Sequence, residues 1–468
     1  MVQLTFHGGV NEVGGNKILL EDKGTKIFID FGRSFGLGDK FFEHFLQPRK
    51  PYGINIHLKM GLIPDIEGIY RDDLIEFAGR KLVPPDIQGV LISHVHADHV
   101  DYASFLHEKI PLYMGETCKN MLKALDERDN RNFERSILDF DPMGKKRGDP
   151  PTPRTIETFR SGKKFKIDDI EIQPIHVDHS VPGAYGFIIY TSEGPIVYTG
   201  DLRRHGAKAE MTEEFIAEAK AAKPIALLAE GTRIADKPTD ENEQKVFDEA
   251  HDVISKSNNL IFVDFNFKDV DRVRTFYNIA KKTGRKFVVK MKDCPFLEYF
   301  HDDPNLGIPN IDDEHIVIYK ARQYSGTFSD SDYGGNTRKY GTMENALTPL
   351  EIAKNPEKYI CALGFFNFNA LVDMNPKSGA VYIHSASEPW TEEQEFGIER
   401  RDNWINLFGM EQHQIHCSGH AKGEDLMDMV KEIDAKMLYP IHTDHPEEYK
   451  KITDKITIVE QGKKYSIK

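Results

Sequence analysis

Four metal-capable side chains fall within six positions, His94-Val95-His96-Ala97-Asp98-His99, directly after the apolar run Gly89 to Ser93. The run predicts a buried strand that delivers His94 at its end. In the turn that follows, the first and third side chains can converge on one metal, and the Asp-His pair can point to a second. Imidazole nitrogen and carboxylate oxygen together suit zinc. A lone histidine is usually a satisfied core or surface residue, but four such groups after one strand are not. Downstream, His179 stands in Asp178-His179-Ser180-Val181-Pro182-Gly183, and Asp201 closes the strand-like Tyr198-Thr199-Gly200-Asp201. His442 ends Tyr439-Pro440-Ile441-His442 in the same way. Singly, each would be read as a turn residue. In this order they extend the cluster.

The rest of the pattern predicts an α/β chain. Runs at Asn16 to Glu21 and Thr25 to Asp30, separated by Asp22-Lys23-Gly24, predict a hairpin. Ile170 to His176, Tyr185 to Tyr190 and Pro195 to Gly200 predict strands that end near candidate ligands. Residues 34 to 85 are aromatic and proline-punctuated, an insertion rather than a sheet. After residue 212 the style changes. A helix over Glu213 to Ala222 and strand Ile225 to Ala229 lead to strand Leu260 to Phe265, a helix over Asp269 to Lys282 and strand Phe287 to Lys290. Further runs at Ile316 to Tyr319, Tyr359 to Leu363 and Ala380 to His384 predict a parallel α/β sheet. The Gly/Ser/Tyr-rich stretch from 320 to 348 reads as a loop. After 404 the first style returns, with a helix from Lys422 to Asp434 and strand Met437 to Ile441.

With 468 residues, two compact units are expected. The net charge of −14 argues against a generic nucleic-acid coater, which carries a basic excess. It leaves a nuclease open, because bound metal ions are themselves the largest local positive charge. The four cysteines, Cys118, Cys294, Cys361 and Cys417, form no C-x-x-C pair, so neither a disulfide framework nor a cysteine zinc knuckle is expected. No signal-peptide layout and no membrane-length apolar run is present, and the expectation is a cytoplasmic protein without membrane contact.

The order of these motifs resembles the metallo-β-lactamase superfamily and, within it, the β-CASP nucleases of the ribonuclease J kind. Gly8-Gly9-Val10-Asn11-Glu12-Val13-Gly14 is similar to that family's N-terminal signature, and Val270-Asp271-Arg272-Val273 to its inserted domain. The resemblance implies a metallo-β-lactamase αββα sandwich, over residues 1–212 and 404–468, with an α/β β-CASP domain inserted at 213–403. It implies two zinc ions, with manganese as the alternative. His94, His96 and His179 would hold one, Asp98, His99 and His442 the other, and Asp201 would bridge them. Asp30 would support the site from behind. Glu230 in Ala229-Glu230-Gly231-Thr232 matches the acidic residue that opens the insert, and His420 matches the histidine paired with it. The run His416-Cys417-Ser418-Gly419-His420 resembles ribonuclease J in particular, which implies that these five residues bind a substrate phosphate. The family's Gly/Gln/Glu/Pro-rich channel segment is not recognisable near Ala362-Leu363-Gly364-Phe365. The expectation is a short, archaeal-like form without a C-terminal domain after Lys468 or a KH domain before Met1.

Implied function is hydrolysis of single-stranded RNA, 5′ to 3′ from an end, with endonuclease action alongside. Asp98 would orient the attacking water, and His420, supported by Glu230, would protonate the leaving oxygen. Lys320, Arg322, Arg338 and Lys339 could guide the backbone, although charged loop residues are usually just solvated. A homodimer is the implied assembly. The alternatives are a β-CASP nuclease acting on DNA or in RNA 3′-end processing, and a small-molecule hydrolase of the same metal fold. The second leaves Glu230, His420 and the long insert without a purpose.

Overall fold

The computed structural model describes residues 1–468 apart from 44–45, 130–132, 147 and 388–391. Three sheets organise the chain. The first runs Lys464–Ile467, Val2–Gly8, Lys17–Asp22, Thr25–Ile29, Gly89–Ile92, Leu112–Gly115, Ile156–Phe159 in spatial order. The second runs Leu438–Ile441, Ala226–Glu230, Pro195–Tyr198, Tyr185–Tyr190, Ile170–His176, Phe165–Ile167. Leu4, Leu20 and Ile29 from the first sheet share one apolar layer with Phe187, Ile196 and Tyr198 from the second. The sheets are therefore stacked face to face, as the alternation of buried positions along antiparallel strands requires.

Helices cover both outer faces. Glu116–Arg128 lays Met121 and Leu122 against Leu112 and Met114. Ala209–Ala222 and Gly423–Ile433 cover the second sheet, the latter burying Leu426, Met429, Val430 and Ile433 along one stripe. This is the αββα sandwich of the metallo-β-lactamase fold.

The third sheet is wholly parallel, in the order Ala346–Leu347, Ile316–Tyr319, Lys286–Lys290, Tyr359–Cys361, Ile261–Asp264, Val381–His384, Glu411–Gln414. Its inner strands, such as Ile316–Tyr319, Tyr359–Cys361 and Val381–His384, are buried on both faces and read as apolar runs, while the edge strand Glu411–Gln414 is polar and largely exposed. One face packs on Val273, Phe276 and Ile279 of helix Val270–Lys282. Asp269 caps that helix by accepting from the Asp271 and Arg272 amides. The same apolar cluster continues into helix Glu116–Arg128, where the Tyr299 hydroxyl donates to Glu127 at 2.5 Å.

Sheet membership differs from the expected division at both joints. Ala226–Glu230 pairs with Leu438–Ile441 in the second sheet, and Glu411–Gln414 pairs with Val381–His384 in the third. Parallel pairing to a strand more than 200 positions away has no local signature, so a change of style near 212 preceded the actual change of sheet. The stretch 320–348 is more ordered than its composition predicts. It holds helix Asn336–Gly341 and the edge strand Ala346–Leu347, with Tyr340 buried. Among the described residues no helix is long and apolar enough to cross a membrane.

Candidate metal centre and substrate cavity

The site lies where strands stop. Asp30 follows Thr25–Ile29, His94 follows Gly89–Ile92 by two residues, Asp201 follows Pro195–Tyr198, Glu230 ends its own strand, and His442 follows Leu438–Ile441. Parallel pairings bring these carboxyl ends level, Ile29 opposite Leu91 and Glu230 opposite Ile441. Asp30 and His442 adopt left-handed backbone, φ 55° and 52°, which costs a non-glycine residue about 1–2 kcal/mol. That turn swings each side chain off its strand and into the site.

The short helix Ala97–Val100 carries Asp98 and His99 and is pinned by the glycine-rich N-terminal segments. Asn16 donates to the Asp98 carbonyl, Phe31 to that of His99 and Arg33 to that of Ala97, at 2.8–3.0 Å. Gly32 passes so close that a Cβ there would lie 1.7 Å from the Asp98 carbonyl oxygen. Lys17, fully buried, donates to the carbonyls of Gly15 and Gly32 at 2.8 and 2.9 Å. Gly14 leaves room for the Asp98 side chain, whose Oδ2 would lie 2.9 Å from a Cβ there.

Two donor sets result, and Asp201 belongs to both. His94, His96, His179 and Asp201 present ligand atoms within 4.8 Å of one another, as do Asp98, His99, Asp201 and His442. Within the first set, His96 Nδ1 lies 3.2 Å from His94 Nε2 and 3.0 Å from His179 Nε2. Within the second, His442 Nε2 lies 3.0 Å from Asp98 Oδ2, and His99 Nε2 lies 3.1 Å from Asp201 Oδ2 without hydrogen-bond alignment. Asp201 Oδ1 and His99 Nε2 are buried with no hydrogen-bond partner among the described residues. Unpartnered buried acceptors and converging imidazole nitrogens are costly in a protein interior, and cations coordinated between them remove that cost. The donors fit divalent metal ions.

The outward ring nitrogens are fixed by Asp30, which the sequence reading placed behind the site, and by the Gly419 carbonyl and Thr232, which it did not assign to that role. Asp30 Oδ2 is 2.7 Å from His99 Nδ1 and accepts from Ser93 Oγ at 2.7 Å and the Tyr198 hydroxyl at 2.6 Å. His179 Nδ1 donates to the Gly419 carbonyl at 2.5 Å. Thr232 Oγ1 donates to Glu230 Oε2 at 2.7 Å and lies 2.9 Å from His442 Nδ1. Such partners set which nitrogen faces the metal. Burial, reinforced by neighbouring imidazoles, pushes His94 well below the ordinary histidine range. Burial and then the charge of Lys268 push His96 to about 3. Burial alone would lower His442, but Asp201 and Asp98 lift it to about 9. The two carboxylates thus concentrate negative charge at the second set.

Glu230 is buried, and both its oxygens lie 3.3 Å from His420 Nδ1. Burial lowers His420, and the Glu230 carboxylate outweighs it, so the ring ends above its ordinary value. His420 closes the loop 416–420, which is braced from beneath by a buried ionic cluster. Arg203 pairs with Asp178, Glu243 and Asp271 and donates to the Ser418 carbonyl at 3.3 Å. Arg272 pairs with Glu243 and donates to the Cys417 carbonyl at 3.0 Å.

A cavity of about 840 Å³ opens above the cluster. His416, Ser418, Gly419 and His420 line it together with His96. Cys417 departs from the expected role. Its Sγ turns away from the cavity and donates to Glu243 Oε1 at 3.3 Å, and burial raises the thiol to about 12. The four cations expected to guide a strand are not on the cavity wall either. Arg322 pairs with Asp373 and Lys339 with Glu298, while Lys320 lies 3.9 Å from Asp330. Lys268, which no motif announced, does line it.

Two family models match the chain. A beta-lactamase superfamily domain covers residues 73–241, and a Zn-dependent metallo-hydrolase RNA specificity domain covers 409–457. With the fold and donor sets described above, these matches make the chain similar to the metallo-β-lactamase superfamily and, within it, to proteins of the ribonuclease J kind. It is 22% identical over 456 residues to ribonuclease J 2 of Streptococcus pyogenes, covering 95% of this chain and 70% of that one. To ribonuclease J of Mycoplasma genitalium it is 22% identical over 447 residues, 93% of this chain and 66% of the relative. Ribonuclease J2 of Bacillus subtilis gives 22% over 455 residues, 95% and 69%. The chain thus spans roughly two thirds of the length of these relatives. A crystal structure of a protein of unknown function from Enterococcus faecalis superposes with a TM-score of 0.73 at 22% identity, over 99% of both chains. That likeness shows the fold.

Proposed function

We propose that this chain is a metal-dependent ribonuclease that hydrolyses phosphodiester bonds of single-stranded RNA, from the 5′ end and with internal cleavage alongside. One observation carries the reading. His96 of the first donor set, His420 of the Glu230–His420 pair, and His416, Ser418 and Gly419 border a single cavity. A metal hydrolase of small molecules needs only the first of these.

Two divalent cations, zinc or manganese, would be held by His94, His96 and His179 and by Asp98, His99 and His442, with Asp201 shared. When bound, such ions act as Lewis acids toward phosphoryl oxygens and activate water near neutral pH. The protein's own groups do the rest. Asp98, hydrogen-bonded to His442, orients the attacking water. His420, its proton affinity raised by Glu230, gives a proton to the leaving 3′ oxygen. His416 Nε2, Ser418 and the Gly419 amide hold a neighbouring phosphate. The neutral state of His416, pushed to about 3 by burial and by Arg272, makes it a donor of one hydrogen bond rather than a cation.

On sheet membership we place the insert between about residues 231 and 415, with the sandwich on either side. All four cysteines are buried and free, which suits the reducing cytoplasm. The test is to incubate purified protein, with zinc or manganese, with end-labelled single-stranded RNA and DNA bearing 5′-monophosphate or 5′-hydroxyl. Mononucleotides released from the 5′ end of RNA are expected. Cleavage confined to DNA, or release from the 3′ end, would move the protein to another β-CASP role, and no cleavage at all would overturn the nuclease reading.

A further inference from the structure

The insert's wall of the cavity carries Phe366, which core packing does not explain, beside Phe365, which packs against the core. After strand Tyr359–Cys361 the chain makes a short turn, Phe365–Asn367, before helix Ala370–Met374. Phe366 is 92% exposed, the most exposed phenylalanine among the described residues, and Phe365 is only partly covered. Both line the cavity that His96 and His420 also line.

The exposure is built in. Gly364 passes so near Asp264 that a Cβ would lie 1.9 Å from Oδ1, and the Phe365 amide donates to Asp264 Oδ2 at 3.2 Å. That carboxylate is itself held by the Tyr382 hydroxyl at 2.6 Å. Phe365 stands edge-on to buried Phe368, ring centroids 5.7 Å apart, and its centroid is 5.8 Å from that of Phe366. The backbone is pinned, one ring is anchored, and the other projects. What sets Phe366 apart from a singly exposed surface residue is its place on the wall of the cavity, where its ring face is open to a ligand.

The chemistry of the same wall says what covers it. Lys268 lines the cavity, and among the described residues its ammonium has no hydrogen-bond or ion-pair partner. His96 lines the same cavity. The polar loop 416–420 faces the same space. A cation, hydrogen-bond donors and an aromatic face in one cavity match a nucleotide unit, with charge for phosphate and a ring for the base. We propose that Phe366, steadied by Phe365, is a stacking platform for one nucleobase of the substrate strand. The inference rests on the nuclease reading above. A platform of this kind accepts any base, because every base has a π-face. It also selects unpaired strands, because a base in a duplex already has both faces covered.

The test compares wild-type, Phe366→Ala and Phe366→Trp full-length proteins on single-stranded RNA oligonucleotides in which one position at a time is abasic. Phe366→Ala should raise KM about tenfold, within the range for loss of one base–aromatic stack. Phe366→Trp should restore it. One abasic position should weaken the wild type and leave Phe366→Ala unaffected. Equal KM for wild type and Phe366→Ala on every oligonucleotide, in protein that cleaves RNA, overturns the platform and leaves the nuclease reading intact. A wild-type chain that neither binds nor cleaves RNA overturns both.

Discussion

Asp30 and His99 face each other at 2.7 Å across 69 positions of sequence, with Asp30 in left-handed backbone at the end of one strand and His99 beyond the end of the next. The carboxylate also accepts from Ser93 and Tyr198, so it is held from three sides. Asp30→Asn keeps the shape and loses the charge that holds the Nδ1 proton. Metal affinity should fall by about 10–100-fold, the usual effect of losing such a partner. Zinc competition with a chromophoric chelator measures it, and unchanged affinity would mean that Asp30 only shapes the turn.

His442 and His420 should separate cleanly. His442→Ala removes a donor of the second set, and bound metal and RNA hydrolysis should fall together. His420→Ala leaves both sets whole, so metal content should stay at the wild-type value while kcat falls by about 10²–10⁴-fold. Elemental analysis beside single-turnover cleavage distinguishes them. Full activity in His420→Ala would remove it from proton transfer.

Lys268→Gln tests the electrostatics of the cavity. If the ammonium meets a strand phosphate, the slope of log K against log salt should become shallower by about 0.7 for single-stranded RNA. An unchanged slope would leave Lys268 a bystander.

Stability toward acid has an identifiable contributor in His205, which is buried beside Arg203 and donates to the Ser418 carbonyl at 2.9 Å. Burial and then Arg203 hold it at about 4, below its unfolded value near 6.5. The unfolded chain therefore binds the proton first. The contribution is complete above about pH 6.5 and is lost as pH falls toward 4. His205→Gln should flatten that part of the stability curve in urea titrations, and an identical acid limb would exclude this assignment.

How much was legible follows from where partners sit. His94 to His99 announced themselves because one turn holds four donors, Asp201 and His442 because each follows a recognisable strand, and His179 by its order after the first cluster. Ser93, Tyr198 and Thr232 are ordinary residue types whose role depends on partners brought near by pairing, as Thr232 is to His442 across 210 positions. Arg203 and Arg272 carry no local sign of burial, and only the fold brings them together with Glu243. Cys417 was assigned by its motif, but successive side chains of an extended loop point opposite ways, and its own points inward. Phe366 was passed over because a single phenylalanine in a loop has no signature, and its rigidity comes from Asp264, 102 positions away.

The strands Ala226–Glu230 and Leu438–Ile441 lie side by side, yet the whole insert is made between them. A ribosome completes the His94–His99 turn early and must finish the insert before His442 exists. Until then Asp98 and His99 have no fourth companion at their site, and the nascent chain carries an incomplete hydrolytic centre. The second donor set is complete only once nearly the whole chain has been made.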